Sequence, residues 1–394
     1  MEDKLVREWF NNPPERTGTH AIKWDKNLRK FGRADLIPLW IADMDFLSPP
    51  AVQQALVERA QHGIYGYTYR TEVYIQSIQN WLSRRYDWQV KKSDLLFFPP
   101  GTVAALNTIV KTLTEPGDEI VVQTPSYPPL INMVVKNNRQ LIDNPLKLTE
   151  TGYEMDLQHL ESVISNKTRL LLLCSPHNPS GRVWTKEELT HLAQICQSND
   201  IIVVSDEVHA DLIFSDAKHT HFNRLEKSKR PESVTVFSSC KTFNLAGLSQ
   251  STIICDSIAL KRKLQKQIDN SQINLDNIFS AIATQSAYEH GDEWLEELLT
   301  YIRANRNWLE GYLAENLKMI KLVPAQGTYL AWLDFSALGK TNKEIQELLV
   351  HSAGVGLYSG RDFGENGEGF FRVNLACPRA TLEKAFKAIQ TTLS

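Results

Sequence analysis

Short apolar runs alternate with longer, more polar segments between residues 95 and 241 of this 394-residue chain. The runs are rich in Leu, Ile and Val, and they begin the stretches 95–113, 119–127, 168–181, 201–214 and 233–241. The segment 187–199 between two of them has apolar residues at helical spacing. Strands that alternate with helices predict an α/β fold, in which helices cover both faces of a mostly parallel sheet.

The pattern changes on both sides of this region. Residues 256–320 carry long helical periodicities, and residues 321–394 mix short strands with helices. The first 46 residues are mostly irregular. We therefore predict a large α/β domain at 47–285, and a smaller α+β domain that joins 1–46 to 286–394.

Composition and charge exclude several classes of protein. The net charge is −3, so no basic surface favours nucleic acid. Five cysteines are scattered without a paired spacing, which is typical of a reduced, intracellular chain without a zinc ribbon. The polar first residues do not resemble a secretion signal, and no apolar run approaches the ~20 residues that span a bilayer. We expect a cytoplasmic protein with no membrane partner and no metal site.

The stretch 235–247, TVFSSCKTFNLAG, draws attention to one lysine. An apolar strand ends at Ser238 and Ser239, and Lys241 follows almost at once. The end of a rigid strand can hold a reactive amine, and the hydroxyl groups can bind a phosphate. Alone this signal is weak, because most lysines that follow a strand are solvated surface charges.

Other polar groups fall at neighbouring positions of the predicted sheet. Asn178 and Asp206 each follow a strand, and Tyr127 adds an aromatic ring to the same rim. Thr102 and Val103 open a helix, whose free backbone N–H groups can bind a phosphate or simply form a capped end. In sheets of this kind, ligands bind beyond the carboxyl ends of the strands.

These motifs, in their order and spacing, resemble the fold-type I pyridoxal-phosphate enzymes of the aspartate aminotransferase superfamily. The resemblance covers nearly the whole chain and rests on Gly101-Thr102, Pro125-Ser126-Tyr127, Asn178-Pro179-Ser180-Gly181, Asp206-Glu207, Ser238-Ser239-Cys240-Lys241 and Arg372-Val373-Asn374. Further stretches resemble the MalY/PatB branch of cystathionine β-lyases or C–S lyases: 40–46, 66–68, 205–211 and 372–379. The resemblance implies a seven-stranded type of sheet and pyridoxal 5'-phosphate as cofactor.

It also implies a role for each matching residue around the cofactor ring. Lys241 would bind the cofactor covalently and later move protons. Asp206 would pair with the pyridine nitrogen, because a nearby opposite charge favours the protonated ring. Asn178 would donate to the ring oxygen, and Tyr127 would stack on the ring. His209 stands near the same oxygen and is either a hydrogen-bond partner or a packing residue.

Other residues would contact the phosphate of the cofactor and the second subunit of a dimer. Thr102, the Val103 amide and Ser238 would hold the phosphate. Tyr67 would reach the cofactor of the other subunit, which implies a homodimer with a shared active site.

The amino-acid substrate is expected to bind through an arginine. Arg372 would clamp the substrate carboxylate with its two-pronged guanidinium, and Asn374 would support that clamp.

The chain departs from the superfamily at a few positions. Cys240 replaces a serine before the lysine, and Leu248-Ser249-Gln250 stands where a phosphate-binding arginine is common. The resemblance implies that Asp43 and Asp45 lie near the entrance of the site, but neither the residues nor the resemblance assigns them a role.

The predicted function is a β-lyase that cleaves cystathionine or related cysteine S-conjugates to a thiol, pyruvate and ammonia. An aminotransferase on the same scaffold is an open alternative, because it would use the same Lys241, Asp206 and Arg372. A regulatory protein that binds a transcription activator is a second alternative.

Overall fold

A seven-stranded sheet lies at the centre of the protein, which is described by a computed structural model over residues 10–214, 216–273 and 275–394. Its strands are β1 Leu95–Phe98, β2 Glu119–Val122, β3 Gln140–Asp143, β4 Thr168–Cys174, β5 Ile202–Asp206, β6 Ser233–Phe237 and β7 Ser251–Ile254. Their order is β1-β7-β6-β5-β4-β2-β3, and only β7 runs antiparallel to its neighbours. The predicted α/β fold with a mostly parallel sheet is confirmed.

The hydrophobic pattern did not predict β3 and β7. Each strand has only two apolar residues among its four, whereas β1 has four and β2 has three, and β3 is also an edge strand with two exposed polar ends. Such short segments carry too little periodicity to be separated from loops.

Helices cover both faces of this sheet, which explains the unbroken apolar runs. In β4, Leu170 and Leu172 pack in one apolar cluster, whereas Leu171 and Leu173 pack in another. The first face is covered by helices Thr102–Leu113, Pro128–Lys136 and Ile258–Asn270, and the second by Leu157–Val163 and Lys186–Ser198. A strand buried on both faces needs apolar residues at every position.

A second sheet is formed by the last quarter of the chain. Its antiparallel strands are β8 Lys321–Leu322, β9 Leu330–Asp334, β10 Tyr358–Ser359 and β11 Phe370–Asn374, in the order β8-β9-β11-β10. Helices Asp292–Asn316 and Arg379–Leu393 contribute to the same apolar cluster as this sheet. Strand Ile37–Pro38 pairs with Val355–Gly356, so the N-terminal segment joins the C-terminal part.

The remaining regular elements complete the frame. They include helices Ile22–Asp25, Asn27–Phe31, Pro50–His62, Glu72–Tyr86, Ile278–His290 and Asn342–Glu347, the π-helical segment Leu348–Ala353, and the hairpin Lys147–Thr149 with Gly152–Glu154. The predicted domain boundaries stay a prediction, and residues 1–9 of the smaller predicted domain lie outside the described residues. Within the described ranges, no helix is both long and apolar enough to cross a membrane.

Candidate active site

Lys241 lies where the large sheet meets the N-terminal segment. It belongs to a single helical turn, Ser239–Thr242, that follows β6, and its Nζ donates to the Ala42 carbonyl oxygen at 2.5 Å. Burial lowers the pKa of Lys241, and the charge of Arg372 lowers it further. A lysine with a lowered pKa is neutral, and therefore nucleophilic, over a wider pH range.

Asp206 is the last residue of β5 and lies in the same region. Its carboxyl is buried, and the Val208 N–H donates to Oδ1 at a long 3.3 Å. Burial raises the pKa of Asp206 to about 7, against the effect of the Lys241 charge. A buried carboxylate with so little compensation favours a cationic or N–H partner.

Glu207, the next residue, turns to the other side of the strand. Its carboxylate accepts hydrogen bonds from His219 at 3.1 Å and from His221, and all three side chains are buried. This cluster anchors the segment that follows β5 and does not line the cavity beside Lys241.

Arg372 crosses from the smaller sheet to the end of β4. It lies on β11 and is buried; Nη1 donates to Asn178 Oδ1 and Nη2 to the Trp40 carbonyl oxygen, each at 2.9 Å. Within the described ranges, Nε has no hydrogen-bond partner and no carboxylate lies within ion-pair distance of Arg372. Burial lowers the pKa of this guanidinium. The cation is therefore prepared for an anionic ligand.

Two rings flank the lysine. Tyr127 is half-buried at the start of helix Pro128–Lys136 and lines a cavity together with Lys241. His209 is buried, and its Nδ1 has no partner among the described residues. Burial holds the pKa of His209 well below its ordinary value, and the charges of Lys241 and Arg372 add to the effect. The imidazole is therefore neutral.

The cavity beside Lys241 has a volume of about 700 Å³ and suits an anion on one wall. Helix Thr102–Leu113 opens onto it after Gly101, whose φ is +92°. Its first N–H groups have no acceptor inside the helix. Gln250 contributes a buried amide: its Oε1 accepts from Tyr74, whereas Nε2 has no partner in the described part of the chain.

Ser238 lies beneath this wall and is already engaged. Its hydroxyl donates to the Gln250 carbonyl oxygen at 2.6 Å and accepts from the Cys240 N–H at 3.2 Å. Cys240 itself is a free thiol that contacts the same carbonyl. The phosphate role of Ser238 stays a prediction.

Asn374 and Tyr67 differ from the other predicted site residues. Asn374 Nδ2 donates to the Ile41 and Asp43 carbonyl oxygens at 2.7 and 2.5 Å, so its side chain holds the N-terminal segment. The Tyr67 side chain is 96% exposed, and it does not line the cavity beside Lys241 of its own chain.

Sequence reasoning missed two groups of this site. The Ala42 carbonyl oxygen accepts hydrogen bonds from both Lys241 and the Tyr329 hydroxyl. A sequence does not show where a backbone carbonyl group lies, so this contact could not be predicted. Gln250 stands in the stretch that lacks the usual arginine. A buried amide can be recognised there only once its neighbours are known.

Comparison with known proteins agrees with this geometry. A family model for aminotransferase class I and II matches residues 34–389. Cystathionine beta-lyase PatB of Bacillus subtilis is 40% identical over 98% of this chain and 100% of its own length.

Solved structures give the same result. Cystalysin of Treponema denticola, which contains pyridoxal 5'-phosphate, has a TM-score of 0.93 and 30% identity, with 98% of each chain covered. A pyridoxal-phosphate-bound C–S lyase of Staphylococcus hominis has a TM-score of 0.89 and 32% identity, also over 98% of each chain. With Lys241 in the turn after β6, Asp206 at the end of β5 and Arg372 within β11, the chain belongs to the aminotransferase class I and II family, in the branch that contains PatB.

Proposed function

We propose that this protein is a pyridoxal-phosphate-dependent C–S β-lyase, which cleaves cystathionine or related cysteine S-conjugates to a thiol, pyruvate and ammonia. The observation that carries the proposal is one arrangement: Lys241 with a lowered pKa, Asp206 buried beside it, and Arg372 buried without a carboxylate partner among the described residues. The names of PatB and of the Staphylococcus hominis C–S lyase support the reaction type.

The residues present fit the cofactor. Lys241 would bind it covalently, Asp206 would face its ring nitrogen, and Asn178 and His209 would face its ring oxygen. Tyr127 would cover the ring. The bound cofactor supplies an electron sink for bond cleavage at the substrate α-carbon.

The phosphate would lie against the open wall of the cavity. The N–H groups of Thr102 and Val103 would bind it, with Ser238 and the unpartnered Gln250 amide beside them. This arrangement replaces the missing arginine with uncharged donors.

The chain's own residues would then divide the chemistry between them. Arg372 would bind the substrate carboxylate, since a guanidinium matches a planar anion with two parallel hydrogen bonds. Asn374 would keep the N-terminal segment in place. Lys241, once released, would take the α-proton, because burial lowers the pKa of its amine and so favours the unprotonated form that can act as a base.

A homodimer with shared active sites belongs to the same proposal. The stretch around Tyr67 exposes Ile64, Tyr65, Tyr67 and Tyr69 by 57–96% of each side chain, an apolar surface that a second copy would cover. Five free cysteines support a cytoplasmic location. The division into domains at 47–285, and at 1–46 with 286–394, is also proposed.

The experiment combines a spectrum with a product assay. Purified protein loaded with pyridoxal phosphate is expected to show a visible absorption band and to release pyruvate from cystathionine without added oxo acid. Lys241→Ala is expected to lose both the band and turnover, because Lys241 is the amine beside Asp206, whereas Lys136, which also lines the cavity, is exposed at the end of helix Pro128–Lys136. The Lys111→Ala variant, which changes an exposed lysine in the last turn of helix Thr102–Leu113, is expected to keep both.

Two results would contradict the lyase. Pyruvate absent from cystathionine, cystine and S-alkylcysteines, together with amino transfer to an added oxo acid, would make the protein an aminotransferase, as the family name allows. An absorption band that remains in Lys241→Ala would show that Lys241 is not the residue that binds the cofactor covalently.

A further inference from the structure

The carbonyl groups of residues 40–43 are held from three directions. Arg372 binds that of residue 40, Lys241 that of residue 42, and Asn374 those of residues 41 and 43, with distances of 2.5–2.9 Å. Hydrogen bonds at four consecutive carbonyl groups fix the backbone position of Asp43, and Arg16 fixes its carboxylate. Asp43 is therefore held beside the reactive amine.

Of the two oxygens of the Asp43 carboxylate, one has a hydrogen-bond partner among the described residues and the other has none. Oδ2 accepts from Arg16 Nη2 at 2.8 Å, whereas Oδ1 is buried and lacks a hydrogen-bond partner within the described ranges. A buried charged acceptor without a donor is costly, so it favours a ligand that brings one. The negative charge of Asp43 also acts on Lys241, where it opposes the lowering of the pKa.

A second cavity, of about 530 Å³, opens on this side of the lysine. Arg16, Asp43, Asp45 and Lys241 are among the residues that line it, and Lys241 also lines the 700 Å³ cavity on its other side. Thr102, Val103, Tyr127 and Lys241, which would hold the cofactor, line the larger cavity, so the second cavity would offer room for the part of a substrate beyond its reacting carbon.

The other carboxylate of this second cavity is already saturated. Asp45 accepts from Arg16 at 2.7 Å, from Lys23 at 2.5 Å and from the Trp24 indole at 3.0 Å. Asp43 is therefore the carboxylate of this wall that can still accept a hydrogen bond from a cation.

We propose that Asp43 determines specificity by binding the second ammonium group of substrates with an amino acid at both ends, such as cystathionine and cystine. The inference rests on the proposed function. With the first carboxylate on Arg372 and the α-carbon beside Lys241, the distal amino acid enters the second cavity. Arg16 is a positioning residue, since it fixes the other oxygen of Asp43. S-alkylcysteines lack the distal ammonium and do not use Asp43.

The test compares two substrates in one variant of the cofactor-loaded enzyme. In Asp43→Asn, kcat/KM for cystathionine is expected to fall at least about tenfold and that for S-ethylcysteine less than about threefold, because one charged hydrogen bond is removed. Asp35→Asn is the matched control: this carboxylate lies in the same segment but is exposed and pairs with Arg33. Its two values are expected to stay at the wild-type level.

Binding provides a readout that does not depend on turnover. Calorimetry with diaminosuberate, the carbon analogue of cystathionine without a leaving thiolate, is expected to show the same loss of affinity in Asp43→Asn. Norleucine, which has one amino group, is expected to bind wild type and variant alike. If Asp43→Asn does not fold, Asp43→Glu, which displaces the oxygens, replaces it with the same expected contrast.

Equal losses for both substrates, or no loss for either, would overturn the role of Asp43. Equal losses would mean that Asp43 acts through Lys241 or on the stability of the fold, and not on the distal ammonium group. Failure of the lyase proposal looks different, because wild type itself would then release no pyruvate from either substrate. The comparison of diaminosuberate with norleucine would still decide the inference about Asp43.

Discussion

At the scale of single residues, this site is marked by polar atoms that the chain leaves unpaired. Arg372 Nε, His209 Nδ1, Gln250 Nε2 and Asp43 Oδ1 are all buried without a partner in the described part of the chain. Buried polar atoms are nearly always hydrogen-bonded in native proteins. Four such atoms in one region therefore indicate a site built around ligands.

Asp206 gives a prediction about pH in the cofactor-free protein. Its pKa is about 7 in the fold, above the ordinary 3.8, so the folded state retains a proton that the unfolded chain releases. The stability from this carboxyl is complete below about pH 4 and is lost as the pH rises through about 7. Wild type is expected to lose roughly 2–3 kcal/mol more than Asp206→Asn between about pH 5 and 8.

Urea unfolding of both proteins at several pH values measures this difference. The control is Asp87→Asn, whose wild-type carboxylate is 94% exposed and should leave the pH slope unchanged. Parallel curves for wild type and Asp206→Asn would show that the buried carboxyl does not titrate as described.

At the scale of elements, the anion-binding wall depends on one turn between a strand and a helix. Gly101 links β1 to helix Thr102–Leu113 with φ +92° and ψ 177°, a conformation that is essentially restricted to glycine. This turn directs the first N–H groups of the helix toward the cavity. Backbone geometry therefore contributes to the site as much as side chains do.

Replacing this glycine tests the turn. Gly101→Ala is expected to lower the free energy of unfolding by about 1–3 kcal/mol and to weaken pyridoxal-phosphate binding, because the strained backbone relaxes away from the cavity. Gly311→Ala is the contrast. Gly311 lies exposed inside helix Asp292–Asn316 with nothing within 4 Å of an added Cβ, so alanine should stabilise the protein by up to about 1 kcal/mol.

Chemical unfolding and cofactor titration report the two effects separately. If Gly101→Ala binds the cofactor as tightly as wild type, the helix N-terminus does not hold the phosphate. The Gly311→Ala variant verifies that a glycine-to-alanine change by itself does not cause the loss.

At the scale of the whole molecule, the site joins parts of the chain that are far apart in sequence. The N-terminal segment, the large sheet and the smaller sheet meet at Lys241, Asn178 and Arg372. Tyr67 remains exposed and outside this arrangement in one subunit. A shared site in a homodimer would account for that exposure.

Mixed dimers test this sharing. Tyr67→Ala and Lys241→Ala are each expected to be nearly inactive, and an equal mixture after subunit exchange is expected to regain about a quarter of the wild-type activity. The reason is that half of the dimers are mixed, and each mixed dimer pairs an intact Lys241 with an intact Tyr67 from its neighbour. Activity and sedimentation of the same samples are measured together.

A mixture as inactive as its two components would mean that Tyr67 and Lys241 act in the same subunit's site, or that Tyr67 acts outside the active site. The control mixes Lys241→Ala with a variant at an exposed position of the same stretch, Tyr69→Ala. In that mixture only the subunits that keep Lys241 are active, so its activity should equal that of the Tyr69→Ala subunits it contains.

The sequence by itself determined the fold class, the mostly parallel sheet and the family. Strands buried on both faces need continuous apolar runs, which are visible in the sequence. The order of the short motifs around Lys241, Asp206 and Arg372 can also be read directly from the sequence. Only the tertiary structure decided that Gln250 and Asp43 carry unpartnered atoms, and that the carbonyl of Ala42 binds the lysine. Such properties depend on contacts between residues far apart in the chain, 199 positions in the case of Lys241 and Ala42, which local periodicity and spacing do not encode.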